Sequence, residues 1–342
     1  MFKPVHYEEF YDFLIDFAHC YHIQTLDENQ RDFIETFINT HSRAFQSTFY
    51  RWNIADLFDF TKRVVNQLIE SLLTFNEFDM RPYSVFIQLL NKLISKYKLH
   101  IHTLNHDILF ERLIENSSLQ KHFSDGFTEM GSKFYGTFRI GEHAGYKFRL
   151  QFFNNKYEEL ISLYKLHGSI DQYKFHYRDR SKQDIVKRLP GMSTVDFYKE
   201  LKNSDGALYY FNSWLEYHSY FLSGIKTKVR QYTYEYYNKP LFNHLKKNLN
   251  SSSLLIVIGY GFKDSKINDY IEKYFKSKKG SKLLIIDPYP NLPSFFQKRK
   301  DQVFNKKIEL LDLKDFNRFL GQDLNKMQNG PYNEFYDFLE DI

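Results

Sequence analysis

The sequence predicts an α/β protein with a parallel sheet, and three features of the chain lead to that fold class. From about residue 98 onward, short apolar runs alternate with segments of helical periodicity. Two of the runs, "SLLIVIGYGF" and "KLLIIDPYP", are almost continuously apolar, as strands buried on both faces are. Before residue 98 the apolar residues follow helical spacing instead. We therefore predict a helical N-terminal region followed by a parallel α/β core.

The N-terminal region, about residues 1–97, is predicted to be helical from residue 5 onward. In "NIADLFDFTKRVVNQLIESLL", Asn53 suits an N-cap, and apolar residues follow at helical spacing: Leu57, Phe60, Val64, Leu68 and Leu72. A further helix is predicted for "PYSVFIQLLNKLISKY" (82–97), because Pro82 fits the first turn of a helix.

The core is predicted to contain five strands that alternate with helices, within a single domain of residues 1–342. The strand candidates are "KLHIHTLN" (98–105), "LYKLHGS" (163–169), "SLLIVIGYGF" (253–262), "KLLIIDPYP" (282–290) and "KKIELLDL" (306–313). The core therefore spans about 98–171 and 250–315. The interval 172–249 is polar and aromatic, and we predict that it is a helical insertion containing "STVDFYKEL", "WLEYHSYFL" and "LFNHLKKNL".

Composition narrows the class of protein. A single cysteine, Cys20, excludes internal disulfides and any cysteine-based zinc site. There is no signal-peptide pattern and no apolar run of membrane-spanning length, so we expect a soluble cytoplasmic protein without a membrane partner. The net charge is +5, and "KSKKGSK" and "QKRK" are basic. Because no stripe of alternating basic and aromatic residues accompanies them, solvated faces are favoured over a nucleic-acid partner.

Four polar clusters follow four of the strand candidates. In open α/β sheets, ligands bind beyond the carboxyl ends of the strands, so these clusters are the candidate site. They are "TLNHD" (103–107), "KLHGS" (165–169), "VIGYGFKDSKIND" (257–269) and "IIDPY" (285–289).

The first cluster has a structural, a functional and a metal interpretation. Asn105 or Asp107 fits the N-cap of the helix that follows, which is the commonest role of such residues between a strand and a helix. His100, His102 and His106 form an H-x-H-x-x-x-H pattern, with His100 and His102 on one face of the strand. No regular zinc spacing supports a metal site, so packed or partly exposed histidines are favoured and no metal is predicted.

The other three clusters also keep two interpretations each. His167 fits either a satisfied core histidine or a general base, since a neutral imidazole accepts a proton at physiological pH. Gly259 and Gly261 fit either a turn or main chain that approaches a phosphate or ribose. Asp287 fits either an Asp-Pro turn or a ligand of ribose hydroxyls.

Taken together and in this order, the motifs resemble those of a known family. The chain resembles the sirtuin-like NAD-binding domain, in the bacterial branch of antiphage-defence proteins that hydrolyse NAD, over roughly residues 98 to 290. "TLNHD" looks like the T-x-N-Y-D of that branch and the T-Q-N-I-D of sirtuins. "KLHGS" matches K-L-H-G-S, and "VIGYGFKDSKIN" resembles I-G-Y-S-F-x-D-x-x-I-N.

The resemblance implies a Rossmann-like fold and a set of residue roles. Asn105 would orient the nicotinamide ribose or the attacking water, Asp107 would hold the carboxamide, and His167 would be the catalytic base. The implied nucleotide-binding residues are Thr103, Gly259, Tyr260, Gly261, Phe262, Asp264, Asn268 and Asp287, the last on the adenine-side ribose. NAD would be the substrate, no metal would be needed, and a homo-oligomer or a defence partner protein is expected.

The chain departs from the sirtuins and from its own branch. It lacks the four-cysteine zinc module of sirtuins, and Leu104 stands where they have glutamine, so protein deacylation is disfavoured. The family also begins with a G-A-G-x-S loop that binds the pyrophosphate, whereas the first glycine here is Gly126. One hypothesis is an NAD+ hydrolase whose loop lies upstream of Met1. The alternative is a non-catalytic nucleotide-sensing or regulatory module that has lost the loop.

Overall fold

The structure is a computed structural model that describes residues 83–140, 143–176, 183–188, 196–212, 216–221, 236–277, 282–287 and 308–312, with Glu28 and Leu73. Most of the predicted N-terminal helical region, including Asn53 and Pro82, lies outside these residues. The predicted helix over 82–97 is confirmed in its described part as α1 (Ser84–Ile94). The other described helices are α2 (Leu109–Glu115), α3 (Asn238–Ser251) and α4 (Ser265–Ser277).

Fifteen strands are described, and most of them are short. They are β1 (Leu99–Thr103), β2 (Phe123–Ser124), β3 (Phe127–Thr128), β4 (Phe134–Ile140), β5 (His143–Arg149), β6 (Gln151–Phe153), β7 (Ile161–Lys165), β8 (Gly168–His176), β9 (Gln183–Lys187), β10 (Asp196–Lys202), β11 (Leu208–Phe211), β12 (Glu216–Phe221), β13 (Leu254–Ile258), β14 (Lys282–Asp287) and β15 (Ile308–Asp312).

The parallel strands that the sequence predicts are present, in two sheets of three strands. One has the order β1-β7-β2, and the other has the order β13-β14-β15, and every pair in both is parallel. The predicted helices follow their strands, with α2 after β1 and α4 after β13. The mixed α/β class is thus confirmed, whereas a single continuous Rossmann-like sheet and the domain boundaries stay predictions.

The helical insertion predicted for residues 172–249 is wrong over most of its described length. "STVDFYKEL" contains β10 and "WLEYHSYFL" contains β12, and only "LFNHLKKNL" is helical, as part of α3. The strands of this interval belong to two antiparallel sheets with the orders β12-β8-β9-β6-β3 and β11-β10-β4-β5. The reason is composition, because tyrosine and phenylalanine favour strands that are buried on one face.

The two parallel sheets share one aromatic-rich core. Tyr164 and Leu166 from the end of β7, Leu241 from α3, and Val257 and Leu283 from β13 and β14 all belong to the same buried cluster. Burial of this apolar area is the main favourable term that holds the sheets together. Because the cluster lies next to the carboxyl ends of β7 and β13, it fixes those two ends relative to each other.

A second cluster joins the two antiparallel sheets to each other. Phe134 and Phe197 lie on one sheet, and Phe175 and Val186 on the other. Among the described residues, no helix is long and apolar enough to cross a membrane.

Candidate functional site

The loop after β1, residues 103–109, is shaped by its own polar side chains. The main-chain N–H of Asn105 donates to Thr103 Oγ1 at 3.1 Å, and the N–H of Leu109 donates to Asp107 Oδ1 at 3.0 Å. The second bond satisfies a donor in the first turn of α2, but the N-cap residue is Ile108, so Asp107 stands one residue before the N-cap position that the sequence suggested. The Asn105 residue itself is exposed, so its amide is available to a ligand.

Main-chain hydrogen bonds join this loop to the K-L-H-G-S segment. The N–H of Leu166 donates to the carbonyl of Thr103 at 3.0 Å, and the N–H of Ile170 donates to the carbonyl of His106 at 3.0 Å. Ser169 Oγ also donates to the His106 carbonyl, at 3.1 Å. The first and second motifs therefore form one unit, although about sixty residues of chain separate them.

His167 lies in the turn between β7 and β8 and is only 2% exposed. Its ring centroid is 6.2 Å from that of His106 in the first motif. Its Nε2 is 3.7 Å from Asp264 Oδ2, which belongs to the third motif. A carboxylate at this distance stabilises positive charge on the ring if the imidazole accepts a proton. Three of the four clusters thus meet at His167.

The turn that carries His167 requires the glycine that follows it. Gly168 has φ +75°, and a Cβ at this position would lie 2.1 Å from the carbonyl oxygen of Tyr220 in β12. Asn238 holds the other side of the turn, because its Nδ2 donates to the Leu166 carbonyl at 3.2 Å and its Oδ1 accepts from the Tyr220 hydroxyl. The glycine of the motif therefore serves the turn and the packing of β12.

The third motif forms a loop between β13 and α4 that is braced by its own side chains. Asp264 Oδ1 accepts from the N–H groups of Lys266 and Ile267 at 3.0 and 3.1 Å, which caps α4. Asn268 Nδ2 donates to the carbonyl of Phe262 at 2.8 Å. The Tyr260 hydroxyl donates toward the Asp264 carbonyl and Asn268 Oδ1, each at 3.0 Å.

These bonds leave the tip of the third loop open. Gly259 has φ +61°, no atom of the described residues lies within 4 Å of a Cβ built at Gly259 or Gly261, and both glycines are exposed. Exposed main chain just before the N-terminus of a helix is suited to an anionic ligand. Phe262 has φ +53°, which is rare for a residue with a side chain, and Asn268 holds its carbonyl in that conformation.

Asp287 is the last residue of β14, and its main chain pairs with Asp312 of β15. Its side chain lies outside what the structure describes, so its contact with a ribose stays a prediction. The same holds for the roles of Thr103, Asn105, Asp107 and the other residues taken from the resemblance, because geometry alone does not assign them.

The histidines of the H-x-H-x-x-x-H pattern separate in the fold. His100 and His102 lie on one face of β1 and contact Tyr164, with ring centroids 6.1 and 4.4 Å away, whereas His106 lies beside His167. Burial lowers the pKa of His102 to about 3, and it also lowers the pKa of His100 and of His244. Among the residues that the structure describes, no group of three or more His, Cys, Asp or Glu side chains is placed to hold a metal.

Sequence reasoning missed a buried group of charges beneath the loop. Lys165, the first residue of "KLHGS", pairs with Glu111 Oε2 at 3.3 Å and donates to the carbonyl of Asp107. Lys187 of β9 joins the same group. A lysine at the end of an otherwise apolar run is the one sequence signal that could have suggested a buried pair, because lysine is rarely buried unless it is paired.

Comparison with known proteins gives a family match and similar solved structures. The family model of the SIR2-like domain matches residues 99–310, which is more than half of the chain. A solved structure described as "The Structural basis for Sirtuin Substrate affinity" is similar at 12% identity with a TM-score of 0.35, covering 78% of this chain and 80% of the other. A search of curated proteins found no match.

Proposed function

We propose that this chain, which belongs to the SIR2-like domain family, is an NAD+ hydrolase of the bacterial antiphage-defence type. The proposal starts from the association of this family with NAD. The products are nicotinamide and ADP-ribose. The observation that carries the proposal is the meeting of three motifs at His167, through the loop bonds to His106 and the 3.7 Å approach of Asp264. These motifs are distant in sequence, and a binding site for one dinucleotide accounts for their convergence.

The chemistry needs positioning more than covalent catalysis. When the bond between C1′ of the ribose and the nicotinamide nitrogen breaks, the electron pair leaves with nicotinamide and an oxocarbenium-like ribose remains. A water oxygen then bonds to C1′, and the proton that the water loses goes to His167. Asp264 stabilises the imidazolium that results. Asn105, exposed on a loop with a fixed main chain, is suited to orient the ribose or the water.

Nucleotide binding is assigned to the third motif. The exposed main chain at Gly259 and Gly261 offers N–H groups to phosphate oxygens, whereas the N–H groups of Lys266 and Ile267 at the start of α4 are already bonded to Asp264 Oδ1. Tyr260 and Phe262, with ring centroids 4.8 Å apart, provide an aromatic surface beside them. Asp107 keeps Oδ2 for the carboxamide, because Oδ1 accepts from Leu109.

A second candidate function is favoured by the burial of His167. An imidazole that is 2% exposed has to become accessible before it can act on a ribose. A non-catalytic nucleotide-sensing module, which binds NAD or ADP-ribose and does not turn it over, requires no such access. This alternative retains the third loop and assigns His167 a structural role between His106 and Asp264.

Cleavage of NAD+ by the full chain distinguishes the two functions. We expect release of nicotinamide and ADP-ribose, measured by chromatography, and a loss of at least about 100-fold in His167→Ala and in Asn105→Ala. His122→Ala, in the 3₁₀ helix Ser118–His122, is the matched control and retains activity. Calorimetric binding of ADP-ribose without any cleavage of NAD+ establishes the sensing module, and failure of both measurements refutes the NAD assignment.

The cellular setting is part of the same proposal. We expect the protein to act in the cytoplasm, where NAD+ is available, with a second copy of itself or with a defence partner protein. In a phage plating assay the wild-type gene is expected to protect the host and His167→Ala is not. Equal plating efficiency of phage on hosts with either gene contradicts the defence role. Whether the protein hydrolyses NAD+ is then decided by the enzyme assay alone.

A further inference from the structure

A buried ion network lies where α2 meets the ends of β7, β8 and β9. It consists of two ammonium groups and three carboxylates, from Lys165, Lys187, Glu111, Asp125 and Asp171. The side chains of four of them are at most 6% exposed, and that of Asp125 is 12% exposed. Isolated charges at such depth are strongly unfavourable, so each ammonium group depends on the carboxylates that contact it.

The deeper part of the network is centred on Lys187. Its Nζ lies 2.5 Å from Asp125 Oδ2, 3.4 Å from Asp171 Oδ2 and 3.7 Å from Glu111 Oε1. Burial opposes the charge on Lys187, but the three carboxylates outweigh it and raise its pKa well above the ordinary value. Burial also raises the pKa of Glu111, against the opposing effect of Lys165 and Lys187.

Lys165 connects this network to the candidate site. Its ammonium contacts Glu111 on one side and donates to the main-chain carbonyl of Asp107 on the other. Asp107 lies in the same loop as Asn105, and Lys165 lies two residues before His167. The bond therefore adds a further restraint to a loop that the hydrogen bonds of Thr103, Leu166, Ser169 and Ile170 already hold.

We infer that Lys165 is a positioning residue, whose ammonium, held by Glu111, fixes the main chain of the Asn105–Asp107 loop and thereby the position of Asn105 relative to His167. The expected effect of Lys165 on turnover rests on the proposed NAD+ hydrolysis, whereas its expected effect on the loop does not. If the network served stability alone, neutral replacement of both Lys165 and Glu111 would restore the loop and turnover together with stability, because neutral replacement of a whole buried pair restores stability.

The test compares a single with a double variant. Lys165→Met removes the donor to Asp107 and leaves Glu111 without its nearest cation, so both the loop and the fold suffer. Lys165→Met with Glu111→Gln removes both charges, and we expect it to recover the melting temperature and still lack the donor. Lys199→Met is the matched control, since it breaks the Lys199–Asp184 pair of 2.9 Å between β10 and β9, away from the loop.

Two readouts follow the loop directly. Hydrogen exchange at the Asn105 and Leu109 amides, which are bonded to Thr103 Oγ1 and Asp107 Oδ1, reports how well the main chain is held. We expect it to accelerate at least about tenfold in the double variant. Turnover of NAD+ is expected to fall about 100-fold in kcat, with KM changed less than about threefold.

The outcome decides between positioning and stability. If the double variant regains its melting temperature while exchange at the two amides stays fast, Lys165 positions the loop, and Lys199→Met leaves those amides unchanged. If exchange and kcat recover together with the melting temperature, the inference is wrong. If the wild-type chain does not cleave NAD+, the exchange measurement alone decides, so a failure of the proposed function is distinct from a failure of this inference.

Discussion

Replacing Gly168 by alanine is the substitution whose cost the structure defines most closely. The residue has φ +75°, and an added Cβ would lie 2.1 Å from the carbonyl oxygen of Tyr220 and 3.0 Å from the Cα of Phe221. Two effects therefore add at one position, a left-handed backbone and an overlap with the main chain of β12. Neither can relax easily, because Tyr220 and Phe221 are themselves buried.

The two effects can be separated with a second glycine. Gly206, in the turn between β10 and β11, has φ +80°, and a Cβ there meets no atom within 4 Å in the part of the chain that the structure describes. Gly206→Ala therefore measures the backbone effect alone, about 1 kcal/mol. The overlap at Gly168 forces β12 or the His167 turn to move, which typically adds 1–3 kcal/mol, so Gly168→Ala is expected to cost about 2–4 kcal/mol.

Urea unfolding of the wild type and of both variants gives the required free energies, provided that the slope with denaturant is the same in all three. Gly168→Ala is expected to be destabilised by at least about 1 kcal/mol more than Gly206→Ala. Equal destabilisation would show that the close approach of β12 to the His167 turn does not exist in solution.

Two further predictions concern ionisable side chains. His102 has a folded pKa of about 3, below the value of 6.5 in an unfolded chain, so the unfolded state binds the extra proton as the pH falls. The free energy of unfolding is therefore expected to drop by about 2 kcal/mol between pH 7 and pH 5 through this residue, and urea titrations of His102→Phe at both pH values should lack that part of the loss. Asp264→Ala is expected to lose about 1 kcal/mol of stability that Asp264→Asn retains, because asparagine also caps α4, and thermal unfolding of the pair measures the difference.

The parallel strands were predictable because their sequence pattern is local. The run that became β13 is apolar over its whole length and that of β14 is apolar between Lys282 and Asp287, and a strand buried on both faces is the simplest explanation of such runs. The helices that follow β1 and β13 were predictable for the same reason, since their apolar spacing is contained in a single segment.

The antiparallel strands were not predicted because their pairing depends on distant residues. In β10, Phe197 is buried against Phe175, whereas residues 198–201 are all only partly buried, so no alternation of buried and exposed side chains marks the strand. The partners of β10 are β4 and β11, of which β4 lies some sixty residues earlier. Tertiary context of this kind overrides the local pattern.

The candidate site also has a part that the sequence predicted and a part that it did not. The motif order was enough to expect that the first three clusters meet. Hydrogen bonds between residues 103–106 and 166–170 join the first two, and the 3.7 Å approach of Asp264 to His167 adds the third. The contact of Lys165 with the Asp107 carbonyl was not predictable, because a lysine at the end of an apolar run suggests at most a buried pair and does not identify its partners.

Hydrogen exchange with and without ADP-ribose tests most directly whether the three motifs bind one nucleotide together. Saturating ADP-ribose is expected to slow exchange together in 103–107, 166–169 and 259–264, while the turn at 203–207 between β10 and β11 stays unchanged. Protection of one motif alone, or of none, would contradict the claim that these loops form a single nucleotide site.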